Sequence, residues 1–313
     1  MSELFLGIDT SNYTSSCALY DSDTESFISL KKLLPVEQGN LGLRQSDAVF
    51  HHTKNLPPLL CELADKFTSS VKGVGVSYAP RDCDGSYMPC FSVGEGYGSV
   101  LSHTLKAPLY RFSHQAGHVA AALWSSGRTQ LIEKEFIAFH FSGGTTDVLH
   151  VKPDIDKVFS IDTISASLDL KAGQAVDRAG VMLGLSFPAG KELDRLACMS
   201  DKEYKTKPYF RDGSCSFSGL ENKCRAMKNN NEPDCDIAKY CIDYICEAVR
   251  LMTKHAISLF GELPLIYSGG VMSNSIISRK ISEEFGGHFA SPEYSSDNAA
   301  GTAYLAYIKE VRK

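Results

Sequence analysis

Two histidines lie four residues apart at the start of an alanine-rich run, FSHQAGHVAAAL, at residues 112–123. On a helix, side chains four positions apart lie on one face, so the imidazoles of His114 and His118 could bind one ion. Imidazole suits iron, zinc, nickel and copper. The same spacing also occurs in ordinary helices, where His114 would cap the helix start and His118 would pack against a neighbour. The spacing alone leaves a metal pair and a structural pair open.

The residue after the first histidine argues against a metallopeptidase. The zincin pattern HExxH needs a glutamate at that position as the general base. Here the position holds Gln115, whose amide cannot take up a proton at neutral pH. We therefore set the peptidase interpretation aside.

Two glycine pairs follow apolar runs that are typical of strands. Ser142-Gly143-Gly144-Thr145 follows FIAFHF at 136–141, and Gly269-Gly270 follows LIY at 265–267. Turns without large side chains can point backbone amides at a phosphate, although tight turns also need glycine for their geometry alone. The pattern predicts two candidate phosphate-binding turns.

The elements around these residues indicate an internal duplication. A hairpin with the polar turn DTSNYTSS opens the chain, and a second hairpin with a polar turn returns about 130 residues later. Two α/β halves follow from this pattern, with a boundary near residues 107–112. We assign 1–107 to the first lobe, with a C-terminal helix at about 298–313 docking back on it, and 108–297 to the second.

The composition limits the class of protein. The chain has 313 residues, a formal net charge of −5, 43% hydrophobic residues and 22% charged residues. These values are typical of a globular chain and argue against a generally basic nucleic-acid-binding protein. The ten cysteines include no CxxC pair, the start lacks a signal-peptide pattern, and no apolar stretch reaches the ~20 residues of a membrane span. We predict a cytoplasmic protein with free thiols and no membrane partner.

Eight motifs in order make the chain resemble the TsaD family, the threonylcarbamoyl transferases of tRNA modification once described as sialoglycoproteases. They are GIDTS at 7–11, HQAGH at 114–118, SGGTT at 142–146, AGQAVDR at 172–178, LGLSFPAGKELDRLA at 183–197, SFSGL at 216–220, SGGVMSN at 268–274 and SSDNAAG at 295–301. The resemblance implies an α/β fold of the duplicated actin-like, RNase H-like type called ASKHA. It has two lobes, with nucleotide and metal in the cleft.

The resemblance also implies a ligand set. It supplies Asp297 as the third metal ligand beside His114 and His118, and one divalent ion, iron by resemblance with zinc as the alternative. Two imidazoles and one carboxylate would leave positions open for a substrate oxygen. The implied contacts for an adenine nucleotide, threonylcarbamoyl-AMP or ATP, are the glycine turns together with Asp177, Gly190, Asp194 and Asn274.

The implied reaction is transfer of a threonylcarbamoyl group from its adenylate to the exocyclic amine of a tRNA adenosine, with release of AMP. The expected partners are tRNA and accessory proteins of the tRNA-modification complex. An acidic chain needs a local basic surface to bind tRNA phosphates. The candidates are Lys202, Lys205, Lys207, Arg211, Lys223, Arg225 and Lys228.

The chain departs from the family pattern near the expected active site. The departures are Asn12-Tyr13-Thr14, the segment SYAPRDCDGSYMP at 77–89, Thr145-Thr146-Asp147, and Gln174 in place of a glutamate. They keep three alternatives open. One is a paralogous carbamoyl-type transferase with another acceptor, and another is a non-catalytic nucleotide-binding partner protein. The third is a sugar-kinase-like phosphotransferase, for which Asp9 or Asp147 would have to act as the base.

Overall fold

The computed structural model describes residues 3–11, 13–35, 43–294 and 298–313, with the side chain of residue 298 excepted. The chain forms two compact units. Unit 1 comprises Met1–Trp124, Asp154–Phe159 and Asp297–Lys313, and unit 2 comprises Ser125–Pro153 and Ser160–Ser296. By packing, the chain thus divides after Trp124, whereas the sequence-based division lies near residues 107–112. Both histidines of the predicted metal pair belong to unit 1.

A five-stranded mixed sheet forms the centre of unit 1. Its strands are β1 (Leu4–Asp9), β2 (Thr14–Asp21), β3 (Ser26–Leu33), β4 (Val71–Ala79) and β5 (Leu109–Ser113), in the order β3-β2-β1-β4-β5. The first three strands pair antiparallel, and β1, β4 and β5 pair parallel. The predicted opening hairpin is confirmed as β1 and β2. The helices of this unit are α1 (Gln45–Ala64), α2 (Phe91–Leu105), α3 (His114–Ser125) and α9 (Asn298–Val311).

Helix α9 packs closely on this sheet because glycines leave room for its backbone. A Cβ atom at Gly7 on β1 would lie 2.0 Å from the Ala299 carbonyl oxygen, and one at Gly75 on β4 would lie 2.4 Å from that of Thr302. A glycine also lets α9 approach α3 closely, because a Cβ atom at Gly301 would lie 1.9 Å from the Gly117 carbonyl oxygen. The last helix therefore contacts both the first sheet and the helix that carries the histidine pair.

A second five-stranded sheet forms the centre of unit 2. Its strands are β6 (Phe136–Phe141), β7 (Thr146–Asp154), β8 (Val158–Ala166), β11 (Leu265–Ser268) and β12 (His288–Phe289), in the order β12-β11-β6-β7-β8. Strands β9 (Tyr209–Arg211) and β10 (Ser214–Ser216) form a separate small sheet, and a 3-10 turn covers Thr129–Glu133. The helices are α4 (Ala172–Met182), α5 (Gly190–Ala197), α6 (Ser218–Asn229), α7 (Asp234–Phe260) and α8 (Ser275–Phe285).

The two sheets share one connectivity. In each sheet the middle position is held by the strand that comes first in the chain, β1 or β6. On one side it pairs antiparallel with its hairpin partner, β2 or β7. On the other side it pairs with a parallel strand, β4 or β11, which in turn pairs with the outer parallel strand, β5 or β12. The order 3-2-1-4-5 of the first sheet is therefore repeated in the second, which confirms the predicted α/β fold and its internal duplication. Apolar side chains of α7, among them Ile242, Ile245 and Val249, are buried in the same hydrophobic core as apolar side chains of the second sheet.

Within the described part of the chain, no helix combines the length and the apolar character that a membrane crossing requires. All ten cysteines are thiols rather than members of disulfides, as predicted.

Candidate functional site

The two histidines of the predicted metal pair come together in unit 1. His114 is the first residue of α3, and His118 follows one turn later on the same face. Their ring centroids lie 4.7 Å apart, and both side chains are half-buried. Strand β5 ends at Ser113, directly before the helix, so its position in the sheet fixes where the first imidazole lies. The arrangement fits two ligands of one metal ion.

A buried carboxylate orients the first imidazole. Asp9, the last residue of β1, is 1% exposed, and His114 Nδ1 donates a hydrogen bond of 2.9 Å to its Oδ2. Its Oδ1 accepts from the Ser11 amide at 2.9 Å. With the proton held on Nδ1, the lone pair of Nε2 is the one available to a metal, which is how carboxylates commonly support metal-binding histidines. Asp9 thus supports the histidine pair, whereas the sequence suggested only the role of a phosphotransferase base for it.

The electrostatics of Asp9 agree with this arrangement. Burial alone would raise the pKa of its carboxyl, but the electrostatic interaction with His114 and hydrogen bonds from His114, Ser77 and the Ser11 amide outweigh it, so the pKa falls to about 2. The group is therefore a carboxylate near neutral pH and a strong acceptor for the imidazole N–H.

The third predicted metal ligand, Asp297, lies outside the described residues, as does Asn12. Over the described ranges, no group of three or more histidine, cysteine, aspartate or glutamate side chains is arranged to hold a metal. The helix that begins at residue 298 packs one turn later against α3, where Gly301 meets the Gly117 carbonyl between the two histidines. The set of three ligands stays a prediction.

The two glycine turns come together in unit 2. Strands β6 and β11 pair parallel, with Ser268 opposite His140, so both turns leave the same edge of the sheet. In the first turn the Ser142 amide donates to the Thr145 carbonyl at 2.7 Å, and Gly143 and Gly144 are exposed. In the second, Gly269 has φ +94°, and a Cβ atom there would lie 2.2 Å from the Phe141 carbonyl oxygen. Only glycine fits at this position.

The predicted nucleotide contacts also lie in unit 2. Asp177 on α4 accepts the Ala189 amide at 2.8 Å, beside Gly190 at the start of α5, and burial raises the pKa of this carboxyl. Asp194 on α5 accepts from the amide of Ser275 at 3.0 Å and from its hydroxyl at 2.9 Å. The Asp194 carboxylate is therefore bound to the first turn of α8.

Asn274 has a defined structural role. It is the N-cap of α8, and its side-chain oxygen accepts from the amides of Ile276 at 3.1 Å and Ile277 at 3.0 Å. Asp194 and Asn274 thus lie at the same helix start, joined through Ser275. The Asp194 carboxylate carries further lone pairs, and the Asn274 side chain keeps its NH2 group as a donor, so both retain capacity for a ligand.

Three residues that depart from the family pattern, Thr145, Asp147 and Gln174, are part of the local structure of unit 2. Asp147, 1% exposed, lies opposite His140 in the β6–β7 pairing, which places it inside the sheet. His140 Nδ1 lies 3.1 Å from Ser268 Oγ. Gln174 accepts from the Lys171 amide at 3.3 Å at the start of α4, and the Thr145 amide donates to Ser142 Oγ at 3.1 Å.

The start of SFSGL is hydrogen-bonded to Asp169. Ser216 Oγ donates to Asp169 Oδ2 at 2.5 Å, and the amides of Phe217 and Ser218 donate to Asp169 Oδ1 at 2.8 and 3.3 Å. These bonds identify the segment as the capped start of α6, with Asp169 as a residue that sequence reasoning missed.

The basic residues considered for tRNA are largely engaged with neighbouring acids. Ion pairs involve four of the seven: Lys202 with Asp236 at 2.7 Å, Arg211 with Asp212 at 3.3 Å, Arg225 with Glu221 at 2.7 Å, and Lys228 with Asp234 at 2.6 Å. Exposed Lys205 and Lys207 lie in the segment between α5 and β9, and Lys223 is exposed on α6. A paired cation contributes less net positive field, so these four residues add less to a local basic surface than unpaired cations would.

Known proteins resemble this chain over most of its length. The family model described as "TsaD: tRNA N6-adenosine threonylcarbamoyltransferase" matches residues 37–304. A tRNA N6-adenosine threonylcarbamoyltransferase of Sulfurihydrogenibium sp. (strain YO3AOP1) is 28% identical, covering 96% of this chain and 89% of its own length. The protein of the same description from Chlorobium phaeobacteroides is 32% identical, covering 68% of this chain and 66% of its own length.

Solved structures resemble the fold. Full-length HypF in its phosphate- and nucleotide-bound form aligns with a TM-score of 0.61 and 11% identity, covering 99% of this chain and 55% of that one. Component A of (R)-2-hydroxyglutaryl-CoA dehydratase from Acidaminococcus fermentans aligns with a TM-score of 0.58 and 17% identity, covering 99% and 100%. These likenesses confirm the ASKHA fold. Since the family match covers well over half of the residues, the chain belongs to the TsaD family, as its motifs indicated.

Proposed function

We propose that this protein is a metal-dependent transferase that moves a threonylcarbamoyl group from threonylcarbamoyl-AMP to the exocyclic amine of a tRNA adenosine. The amine nitrogen bonds to the carbonyl carbon, the bond from that carbon to the phosphate oxygen breaks, and AMP leaves with the electron pair while the amine releases a proton. The mixed anhydride is already activated, so the protein must position the reactants and stabilise developing charge.

The observation that carries this proposal is the paired imidazoles of His114 and His118, supported by the Asp9 carboxylate, in a chain of this family. The two rings and the retained lone pair of His114 Nε2 fit a divalent ion. We assign Asp297 as the third ligand, with iron as the metal and zinc as the alternative. When bound, the ion would act as a Lewis acid toward the carbonyl oxygen and as a template for the reactants.

The other assigned roles belong to residues of unit 2. We propose that the exposed turn containing Gly143 and Gly144, and the turn of Gly269 and Gly270, donate amides to the nucleotide phosphate. Asp177 and Asp194 accept from the ribose hydroxyls, while Gly190 and Asn274 lie beside the nucleoside. The hydrogen-bonding capacity of these groups supports the assignment.

A specific observation favours a second candidate acceptor. Four of the seven basic residues considered for tRNA are bound to acids. A paralogous transferase acting on a small-molecule amine needs no such surface. For a tRNA acceptor, accessory proteins would supply the missing positive charge, and we include them as proposed partners.

The test is a transfer assay with threonylcarbamoyl-AMP and unmodified tRNA, read out by mass spectrometry of the nucleosides and of released AMP. We expect threonylcarbamoyladenosine from the native chain and at least about a hundredfold slower formation with His118→Ala, because the ligand pair is broken. His103→Ala is the matched control, since that histidine is exposed on α2. AMP release with a small amine but not with tRNA would favour the second acceptor, and no release with either would contradict the transferase.

A further inference from the structure

One aspartate outside the proposed ligand sets connects two of the motifs in unit 2. Asp169 lies in the loop between β8 and α4, and its carboxylate accepts from Ser216 Oγ, from the amides of Phe217 and Ser218, and from its neighbour Leu170 at 2.6 Å. Helix α6 has no side-chain cap from its own N-cap residue, Phe217. Asp169 therefore supplies that cap from 48 residues upstream, where a negative charge also complements the helix dipole.

The other end of the same loop holds the first glycine turn. The Ser167 amide donates to the Thr146 carbonyl at 2.9 Å, and the Ala172 amide donates to Thr146 Oγ1 at 2.9 Å. The Gly173 amide donates to the Ser142 carbonyl at 3.1 Å. A Cβ atom at Gly173 would lie 2.5 Å from the Gly143 nitrogen, so this contact requires glycine. The loop at 167–173 is thus bound to the turn at 142–146 as closely as to SFSGL.

Further hydrogen bonds, within the loop and to β10, hold the loop in one shape. A displacement at one end of the loop would therefore move the other end. Ser167 Oγ donates to the Leu170 carbonyl at 2.6 Å, and the Leu168 amide donates to the Cys215 carbonyl at 2.9 Å. Hydrogen bonds toward Asp169 outweigh its partial burial and hold the pKa of its carboxyl at about 2, so the group is ionised throughout the neutral range. A charged acceptor that receives several donors fixes its partners more firmly than a neutral one.

We propose that Asp169 is a positioning residue for the nucleotide site: it anchors the 167–173 loop to the start of α6, and so holds the glycine turn at 142–146 in the geometry that receives phosphate. This inference rests on the proposed function for the nucleotide, whereas the coupling of the two segments can be measured without any ligand. Asp169 acts through the loop and is not assigned a contact with the nucleotide.

The variant Asp169→Asn tests the proposal with little change of shape. The amide keeps one oxygen for the amides of Phe217 and Ser218, places an NH2 group opposite Ser216 Oγ, and removes the charge. Asp162→Asn is the matched control, because Asp162 is exposed on the neighbouring β8 and its ion pair with Lys152 is long, at 3.9 Å. Ser216→Ala removes one bond and leaves the backbone donors, so its effect should be intermediate.

The experiment combines hydrogen exchange without ligand with AMP titration, both well below the unfolding temperature. We expect Asp169→Asn to speed exchange about tenfold at the amides of residues 142–146 as well as 216–220, and to raise the Kd for AMP roughly tenfold, with Asp162→Asn like the native chain. Faster exchange confined to 216–220, with an unchanged Kd, would overturn the proposal and leave Asp169 as a helix cap alone. If the native chain binds no AMP, the nucleotide site of the proposed function is contradicted, while the exchange at 142–146 still decides whether the two segments are coupled.

Discussion

His114 Nδ1 donates a hydrogen bond of 2.9 Å to Oδ2 of Asp9, although the two residues are 105 positions apart in the chain. One lies at the end of β1 and the other at the start of α3, directly after β5. Because β4 pairs with both strands, the sheet itself brings the carboxylate and the imidazole together. The fold therefore places the proton of the imidazole on Nδ1, so that Nε2 is the nitrogen that carries the lone pair.

Replacing Asp9 should weaken metal binding more than it weakens folding. In Asp9→Asn the imidazole keeps a neutral acceptor but loses the charge that fixes its orientation, so we expect the metal affinity to fall about 10–100-fold. Titration with zinc, monitored by calorimetry, measures this. Asp23→Asn changes an exposed carboxyl in the β2–β3 turn and serves as the control. Equal affinities for the native chain and Asp9→Asn would show that Asp9 does not orient a ligand.

His52 should give the protein a dependence of stability on pH. The ring on α1 is fully buried, its Nδ1 lies 2.8 Å from Ser15 Oγ, and its Nε2 has no hydrogen-bond partner among the described residues. Burial lowers its pKa to about 4, despite the opposing effect of the Asp9 charge. Between about pH 6.5 and 4 the unfolded chain binds the proton more readily, so stability falls as the pH falls through this window.

The expected loss from this group is about 2 to 3 kcal/mol between pH 7 and 4. Denaturant unfolding of the native chain and of His52→Gln across that range measures it, with His51→Gln as the neighbouring control. The His52→Gln curve should be flatter than the other two. Parallel curves for all three proteins would show that His52 is not the group responsible.

Substituting Gly301 should separate α9 from α3. The added Cβ atom of Gly301→Ala would lie 1.9 Å from the Gly117 carbonyl oxygen, so one helix must shift, at a cost of about 1–3 kcal/mol or more. Gly96→Ala in α2 is the control, since no atom lies within 4 Å of its new methyl group, and it should be neutral or slightly stabilising. Thermal unfolding checks both variants. A Gly301→Ala protein as stable as the native chain would contradict the packing of α9 against the histidine helix.

Two substitutions separate the capping role of Asn274 from its proposed nucleotide contact. Asn274→Ala removes the acceptor for two amides of α8 and should cost about 1 kcal/mol of stability, whereas Asn274→Ser retains a capping hydroxyl and should restore most of it. If the amide also meets the nucleoside, AMP affinity should stay low in both variants. Native affinity in Asn274→Ser would limit the residue to its cap.

The sequence was most informative where the relevant contacts are local. The i, i+4 spacing placed His114 and His118 on one face, and the glycine pairs located both turns, because each depends on a few consecutive residues. Strand β3 went unpredicted, since SFISLKKL has no regular alternation and ends in exposed lysines and Leu33.

Contacts between distant segments were not predictable in the same way. Asp9 and Asp169 act across 105 and 48 residues, and a lone aspartate after a strand or in a loop has no pattern that reveals its partner. The acidic partners of the basic residues also went unpredicted: the folded chain places Asp236 beside Lys202 and Asp234 beside Lys228.

X-ray absorption at the metal edge of the purified protein, loaded with one equivalent of zinc or iron(II), tests whether His114 and His118 bind the metal. We predict a first shell of nitrogen and oxygen atoms near 2.0–2.1 Å, with the outer-shell scattering of two imidazoles. One of these imidazoles should be lost in His114→Ala and neither in His103→Ala. A first shell of sulfur near 2.3 Å, or a spectrum unchanged by His114→Ala, would contradict this prediction.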